Sequence, residues 1–245
     1  MIKLHIREII NQSVDFFKSH YEFLLPFSLI YFVLSILGAI VPEPIRTIYS
    51  LLMLPLAFGC QYFIDRVYKG DEKKFSIFFD IYRQSIKYVA ISFLKVVIFL
   101  IIFLPFLTTI YADLEFYHFN QEEILKAIQT QNFNFSHQSR LYLAITMIIG
   151  LMSSPFLLFV EYYSLLDGFD VVESFRKSYH TGAKYYLSIF KVLIVSVGVM
   201  LIGFIGCCLP VLASFPFMYL IYYHAYRMIE PTTLTRKNTH QLGSF

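Results

Sequence analysis

The stretch DGFDVVESFRKSYHTGAKYY, residues 167–186, is polar and charged, and it stands between two long apolar runs. Its first residues have a defined local meaning. Gly168 can end an incoming helix, because glycine enters the left-handed conformation at no steric cost. Asp170 with Glu173 three residues on is a capping pair: the Asp carboxylate takes a backbone N–H of the first turn, and a new helix begins there. Val171, Phe175 and Tyr179 then recur every four residues. An amphipathic helix beside a span, with basic residues on its polar face, is expected to lie in the membrane interface, and packing against its own bundle is the alternative.

The same kind of segment occurs twice more. In GDEKKFSIFFDIYRQSIKYV, residues 70–89, Phe75, Phe78, Phe79, Tyr82 and Ile86 follow helical spacing. In residues 1–21, Ile2, Ile6, Ile9, Ile10, Phe16 and Phe17 share one face, while Arg7, Asn11, Asp15 and Lys18 share the other. The later two segments carry YRQS (82–85) and FRKS (175–178), and the first has FKS (17–19). The spans that follow repeat as SFLKV (92–96) and SIFKV (188–192). Returning spans place an aromatic seven residues after a proline: Pro55 and Tyr62, Pro155 and Tyr162, Pro216 and Tyr223. The chain therefore reads as one integral membrane domain of three units, about 1–70, 71–168 and 169–230, followed by a tail at 231–245. Each unit is an interfacial helix, a span outward, a short turn and a span back, a symmetry common in membrane proteins.

Composition agrees. The 245 residues are 57% hydrophobic and only 15% charged, with a mean hydropathy of +0.61, far from a soluble domain's roughly 25% charged. Six runs are long enough to span, near 22–41, 46–66, 88–111, 141–163, 186–207 and 210–229. They are continuously apolar rather than alternating, which predicts helices and excludes a barrel. The fold class expected is an all-α polytopic membrane protein of about six transmembrane helices, arranged as three pseudo-repeated hairpins. Residues 1–20 lack the short apolar core of a cleavable signal, so the first span is expected to be an uncleaved anchor.

Fifteen of the 20 Lys and Arg fall at the N-terminus, near 66–87, near 176–184 and from 227 onward, while Arg46, Lys126 and Arg140 fall on the other side. The positive-inside rule puts both termini in the cytoplasm and residues 112–140 outside. Within that outer loop Asn120 and Glu123 predict a short capped helix, NFS at 134–136 matches a glycosylation sequon, and His118 and His137 read as solvated. Cys60, Cys207 and Cys208 have neither disulfide nor zinc spacing and read as small apolar residues. A net charge of +3 is too small to point to nucleic acid.

Four side chains are candidate intramembrane polar contacts: Glu161, Lys95, Lys191 and Gln61, the last occupying the place equivalent to Glu161, six residues after the span proline. Each is expected near the cytoplasmic end of its helix, where a lysine reaches the interface and a Glu–Lys pair can join two hairpins. A proton or ion path through Glu161 is the competing reading, but the midplanes hold Ile, Leu, Phe and Val. SFLK and SIFK match the S-x-x-K pattern of acyl-enzymes, yet they sit in apolar helix without the polar partners that chemistry needs. Asp167, Asp170 and His180 have no recognised metal spacing, and helix stop and start explain them. No catalytic residue, cofactor or metal is expected.

From Pro155 to Tyr226 the chain resembles the YciC-like bacterial inner-membrane proteins, through SPFLLFVEYYSLLDGFDVVESFRKSYHTGAKYYLSIF and FPFMYLIYYHAYR. It is also similar to the membrane domain attached to some glycerophosphodiester phosphodiesterases. The likeness covers the last third well and the rest loosely. It implies a polytopic protein of the bacterial inner (plasma) membrane and brings no catalytic residue, since the phosphodiesterase's catalytic domain has no counterpart here. The function expected is non-enzymatic: organising lipid or protein partners in the bilayer, with a small transporter or channel-like subunit as the alternative.

Overall fold

The computed structural model describes residues 5–42, 45–71, 73–116, 137–205 and 208–230. Among these 91% are helical and none is in a strand. The elements are α1 (Ile6–Ile40), α2 (Ile45–Tyr68), α3 (Ile77–Asp80), a 3₁₀ turn (Ile81–Gln84), α4 (Ser85–Phe116), α5 (His137–Leu157), α6 (Val160–Leu166), α7 (Val171–Ile205) and α8 (Cys208–Ile229). The expected Asn120 cap, the 134–136 sequon, His118 and Cys207 lie outside the described residues. His137 is exposed at the start of α5.

Four helices are long and apolar enough to cross a membrane among the described residues: Ile6–Ile40, Ile86–Thr109, Arg140–Leu166 and Val171–Ile205. They fit a membrane protein. The further spans expected at 46–66 and 210–229 form α2 and α8, but neither helix meets the same standard. The reason is where these helices sit. No described side chain of α8 from Val211 to Ile229 is exposed, because α8 packs against α1, α2 and α7. A helix sheathed by others has no need of a wholly lipid-compatible surface, and α8 carries His224 and Arg227; α2, exposed at Ile45 and Leu52, carries Asp65 and Arg66 in its last turns.

The chain divides into two compact units, Met1–Ser92 with Pro155–Phe245, and Phe93–Ser154. The second unit holds most of α4 and α5. There Phe93, Leu100, Ile101 and Leu104 of α4, and Met147 and Ile148 of α5, are exposed, as expected of side chains facing lipid. Proline inside α5 leaves one carbonyl unbonded, and the Ser154 hydroxyl donates to that carbonyl, Leu151, at 2.6 Å. Such local repair is how apolar helices tolerate proline.

In the first unit the amphipathic segments differ from expectation. Helix α1 runs unbroken from Ile6 to Ile40, about 52 Å at 1.5 Å per residue, so residues 5–17 do not form a separate helix. Their inner face is buried: Ile9, Ser13, Phe16 and His20 all lie inside, and Phe16 stacks on Tyr68 with ring centroids 4.9 Å apart. The first segment therefore packs against the bundle. The second is a short helix and a 3₁₀ turn, and its apolar set divides. Phe78 is inside, stacked between Phe27 (4.1 Å) and Phe63 (4.3 Å), while Phe79, Tyr82 and Ile86 are exposed.

The third segment buries small residues more fully than its apolar stripe. Asp170 caps it as expected, its Oδ1 accepting the Glu173 N–H at 2.7 Å. Of the stripe, Val171 and Phe175 are half-buried and Tyr179 is exposed, stacked on Phe156 at 5.2 Å, while the buried face is Ser174, Ser178, Thr181 and Gly182. Ser178 donates to the Phe156 carbonyl at 2.7 Å. A Cβ at Gly182 would lie 2.8 Å from the Phe156 Cα and 2.9 Å from the Pro155 carbonyl oxygen. Small residues let backbones meet where apolar burial between helices gains nothing over lipid. Beyond this contact α7 leaves helical geometry at Tyr185 (φ −117°, ψ 24°) and then continues to Ile205.

Gly182→Val should therefore force the end of α5 away from α7 and cost about 1–3 kcal/mol. Gly198→Val, where nothing lies within 4 Å of the added carbon, should leave the fold intact. Thermal unfolding of the two variants in one detergent checks this; equal midpoints would contradict the close contact.

Candidate functional site

Polar side chains gather where the C-terminal ends of α2, α6 and α8 meet the N-terminal half of α7, all within the first unit. Local geometry delivers them. Helix α2 ends at Gly70 (φ 85°), whose N–H bonds the Val67 carbonyl, while Asp71 N–H bonds Arg66 across the end, both at 3.1 Å. This double closure is the glycine-dependent helix stop. It holds Asp65 and Lys69 one turn apart on the face toward α8. Gly168 (φ 75°) ends α6 in the same conformation.

The centre is Asp65, only 2% exposed. Its Oδ2 accepts Lys69 Nζ at 2.5 Å, and its Oδ1 accepts Arg227 Nη2 at 2.6 Å. Arg227 Nε donates to the Tyr223 hydroxyl at 3.1 Å, and that hydroxyl donates onward to Asp65 Oδ1 at 3.4 Å. Tyr68 stacks on Tyr223 at 5.1 Å, and its hydroxyl meets His224 Nε2 at 3.2 Å. One turn of α8 thus grips α2 through a charge, a hydroxyl and a ring.

A second set binds the same stretch of α8 to α6 and α7. The Tyr226 hydroxyl donates to Asp167 Oδ2 at 2.6 Å. The Tyr163 hydroxyl meets Thr181 Oγ1 at 2.5 Å and donates to Glu230 Oε1 at 3.2 Å. Lys177 Nζ lies 3.4 Å over the Phe169 ring, a favourable place for a cation on an aromatic face.

The residues singled out from sequence fall in different places. Gln61 and Glu161 are both buried in the first unit, 4% and 7% exposed. Glu161 is in electrostatic range of Tyr88, Tyr162 and Tyr219. Gln61 Oε1 and the Tyr88 hydroxyl are buried with no hydrogen-bond partner among the described residues. Lys191 is exposed on α7, and Lys95 belongs to the second unit. Cys60 is buried and free. Asp65, the central group, was legible only as one member of a polar stripe, Gln61, Asp65 and Lys69, at four-residue spacing on α2.

Arrangements of this kind hold helices together. Removing one partner of a buried ion pair leaves a charge uncompensated and costs about 3–5 kcal/mol. Arg227→Met should destabilise by less, about 1–3 kcal/mol, because Lys69 stays on Asp65, and adding Asp65→Asn to it should recover part of the loss. Detergent unfolding of the single and double variants reads the coupling, and strictly additive losses would show that Asp65 and Arg227 do not act as a pair.

Comparison of the chain with protein families, with curated proteins and with solved structures finds no match, so the functional reading rests on the chemistry of these residues.

Proposed function

We propose that this chain is a non-catalytic, multi-pass membrane protein that organises lipid or protein partners at one face of the bilayer. The observation that carries this reading is the use made of the buried ionisable groups. Asp65, Lys69 and Arg227 are paired with one another, and Asp167 and Glu230 accept from tyrosines. These charges tie helices together. Around them, exposed aromatics stand close in sequence to basic residues, as Phe79 and Tyr82 do to Arg83, and Tyr179 to Arg176. That pairing suits the headgroup layer, where amphipathic rings and cations collect.

The reading includes six spans in three pseudo-repeated hairpins within a single membrane domain, both termini in the cytoplasm, and a bacterial inner membrane as the YciC-like resemblance implies. The repeat is supported by the two left-handed glycine stops, Gly70 and Gly168. It is also supported by Tyr62, Tyr162 and Tyr223, which all belong to or pack on the core seven residues after a proline. The unbroken α1 is the departure from the pattern. Topology is tested by labelling from outside, after Cys60, Cys207 and Cys208 are replaced by alanine. A cysteine at Gln138 should react and one at Lys73 should not, and the reverse would overturn the orientation.

One observation favours transport as a second reading. Gln61 Oε1 and the Tyr88 hydroxyl are buried without described partners, and Tyr88 is in electrostatic range of the buried Glu161 carboxylate, as in a path that water or an ion would complete. Glu161→Gln separates the two readings. If Glu161 is structural, the amide keeps abundance and melting, whereas Glu161→Leu lowers stability by about 1–3 kcal/mol. Loss of a proton or ion flux in Glu161→Gln liposomes, with melting unchanged, would put transport first.

A further inference from the structure

Between the start of α4 and the end of α6 lies a cavity of about 410 Å³ whose polar lining is Arg83, Lys87, Ser164 and Asp167. Its size is that of a small-ligand site. Arg83 and Lys87 are four residues apart, both exposed, and present two cations to one volume. Ser164, whose hydroxyl donates to the Phe169 carbonyl at 3.4 Å, and the Asp167 carboxyl complete the polar lining. Asp167 Oδ2 is taken by Tyr226, but its Oδ1 is buried with no hydrogen-bond partner among the described residues. The wall is apolar, formed by Leu165 and Leu166.

The depth of the cavity identifies its surroundings. The apolar run of α4 begins at Ile86, between the two cations, and Ile86 itself is 85% exposed. Cations at the first residues of a span lie at the level of lipid phosphates, and the side chains beyond them lie beside acyl chains. A ligand here meets two positive charges, then one buried acceptor, then an apolar surface.

We infer that this cavity binds the headgroup of an anionic phospholipid whose polar end carries hydroxyls, the chemistry of phosphatidylglycerol. The phosphodiester sits between Arg83 and Lys87, a headgroup hydroxyl donates to Asp167 Oδ1, and the acyl chains run past Ile86. Two cations and one carboxylate leave a single positive charge, which one phosphodiester neutralises. Choline has no donor for Asp167. Ethanolamine has donors, but its headgroup is neutral overall and leaves the site's charge uncompensated. The larger cavity along α7 holds Arg176 and Lys177 but also Asp170, Glu173 and Glu230, and so has no comparable preference for an anion. This inference rests on the lipid-organising half of the proposed function and gives it a site.

Native mass spectrometry of the detergent-solubilised full chain tests it, with dioleoyl phosphatidylglycerol, phosphatidylethanolamine and phosphatidylcholine in competition. The wild type should retain phosphatidylglycerol preferentially, and excess inorganic phosphate should not displace it. The exposed pair Arg83→Gln/Lys87→Gln should unfold at the wild-type temperature in lipid-free detergent yet bind phosphatidylglycerol about thirtyfold more weakly. Undiminished binding by this variant would overturn the site while leaving a lipid-organising role standing. Equal retention of all three lipids by the wild type would overturn both. Displacement by inorganic phosphate would mean that the cavity takes free phosphate, which overturns the lipid assignment.

Discussion

A carboxylate withdrawn from water must be paired or protonated, because the cost of an isolated buried charge is far larger than the margin of stability of any fold. Asp65 is such a group, and its pairing with Lys69 and Arg227 sets much of the remaining arrangement. Lys69 is on the same helix and needs no tertiary structure to reach it. Arg227 is not, so the second half of the pairing requires the end of α8 to stand beside the end of α2. Once α8 is held there, Tyr226 and Glu230 are presented to α6 and α7, and the hydrogen bonds to Asp167 and Tyr163 follow. The aromatic rings Tyr68, Tyr223 and Phe16 close around the pair and lower the local dielectric, which strengthens it in turn.

Lipid as the surrounding medium explains what would be errors in a soluble protein. Large apolar side chains on α1, α4, α5 and α7 are exposed, while α7 turns serine and glycine inward against the end of α5. In water this distribution would expose a patch far beyond what a monomer tolerates. In hydrocarbon, an aliphatic side chain loses nothing by pointing out. Helices then associate through backbone proximity and hydroxyl-to-carbonyl bonds, such as Ser178 to Phe156. Helix α8 is the exception that supports the rule: sheathed along its length, it is free to carry His224 and Arg227. The charges at its C-terminal end are paired inside the bundle, whereas Arg83 in the 3₁₀ turn and Lys87 at the start of α4 are exposed and belong to the proposed headgroup contact.

Much of this was legible in the residues alone. Continuous apolar runs forbid a strand reading and require helices, since backbone groups in lipid must be bonded within their own segment. The stop at Gly168 and the start at Asp170 are local events, decided by one conformation and one hydrogen bond, and the structure has both. What periodicity did not reveal is which face of an amphipathic helix is inside. Val171, Phe175 and Tyr179 form a clear stripe, yet Val171 and Phe175 are half-buried and Tyr179 is exposed, while Ser174, Ser178 and Gly182 are the fully buried set. The same periodicity in residues 5–17 does face the core, because there Tyr68 and the end of α8 supply a partner.

The sequence by itself determined the all-helical class, the apolar helices long enough to cross a membrane, and the local stops and caps, because each depends on residues within a few positions of one another. Tertiary structure alone decided that α1 continues without a break, that α8 is the enclosed helix, and that Asp65 meets Arg227. These depend on partners more than a hundred residues distant along the chain, and no periodicity encodes which of several inner-end arginines a buried carboxylate will find. Arg66, adjacent to Asp65 in sequence, points to Asp71 instead, because successive residues on a helix face directions about 100° apart. Geometry of that kind exists only once the helices have packed.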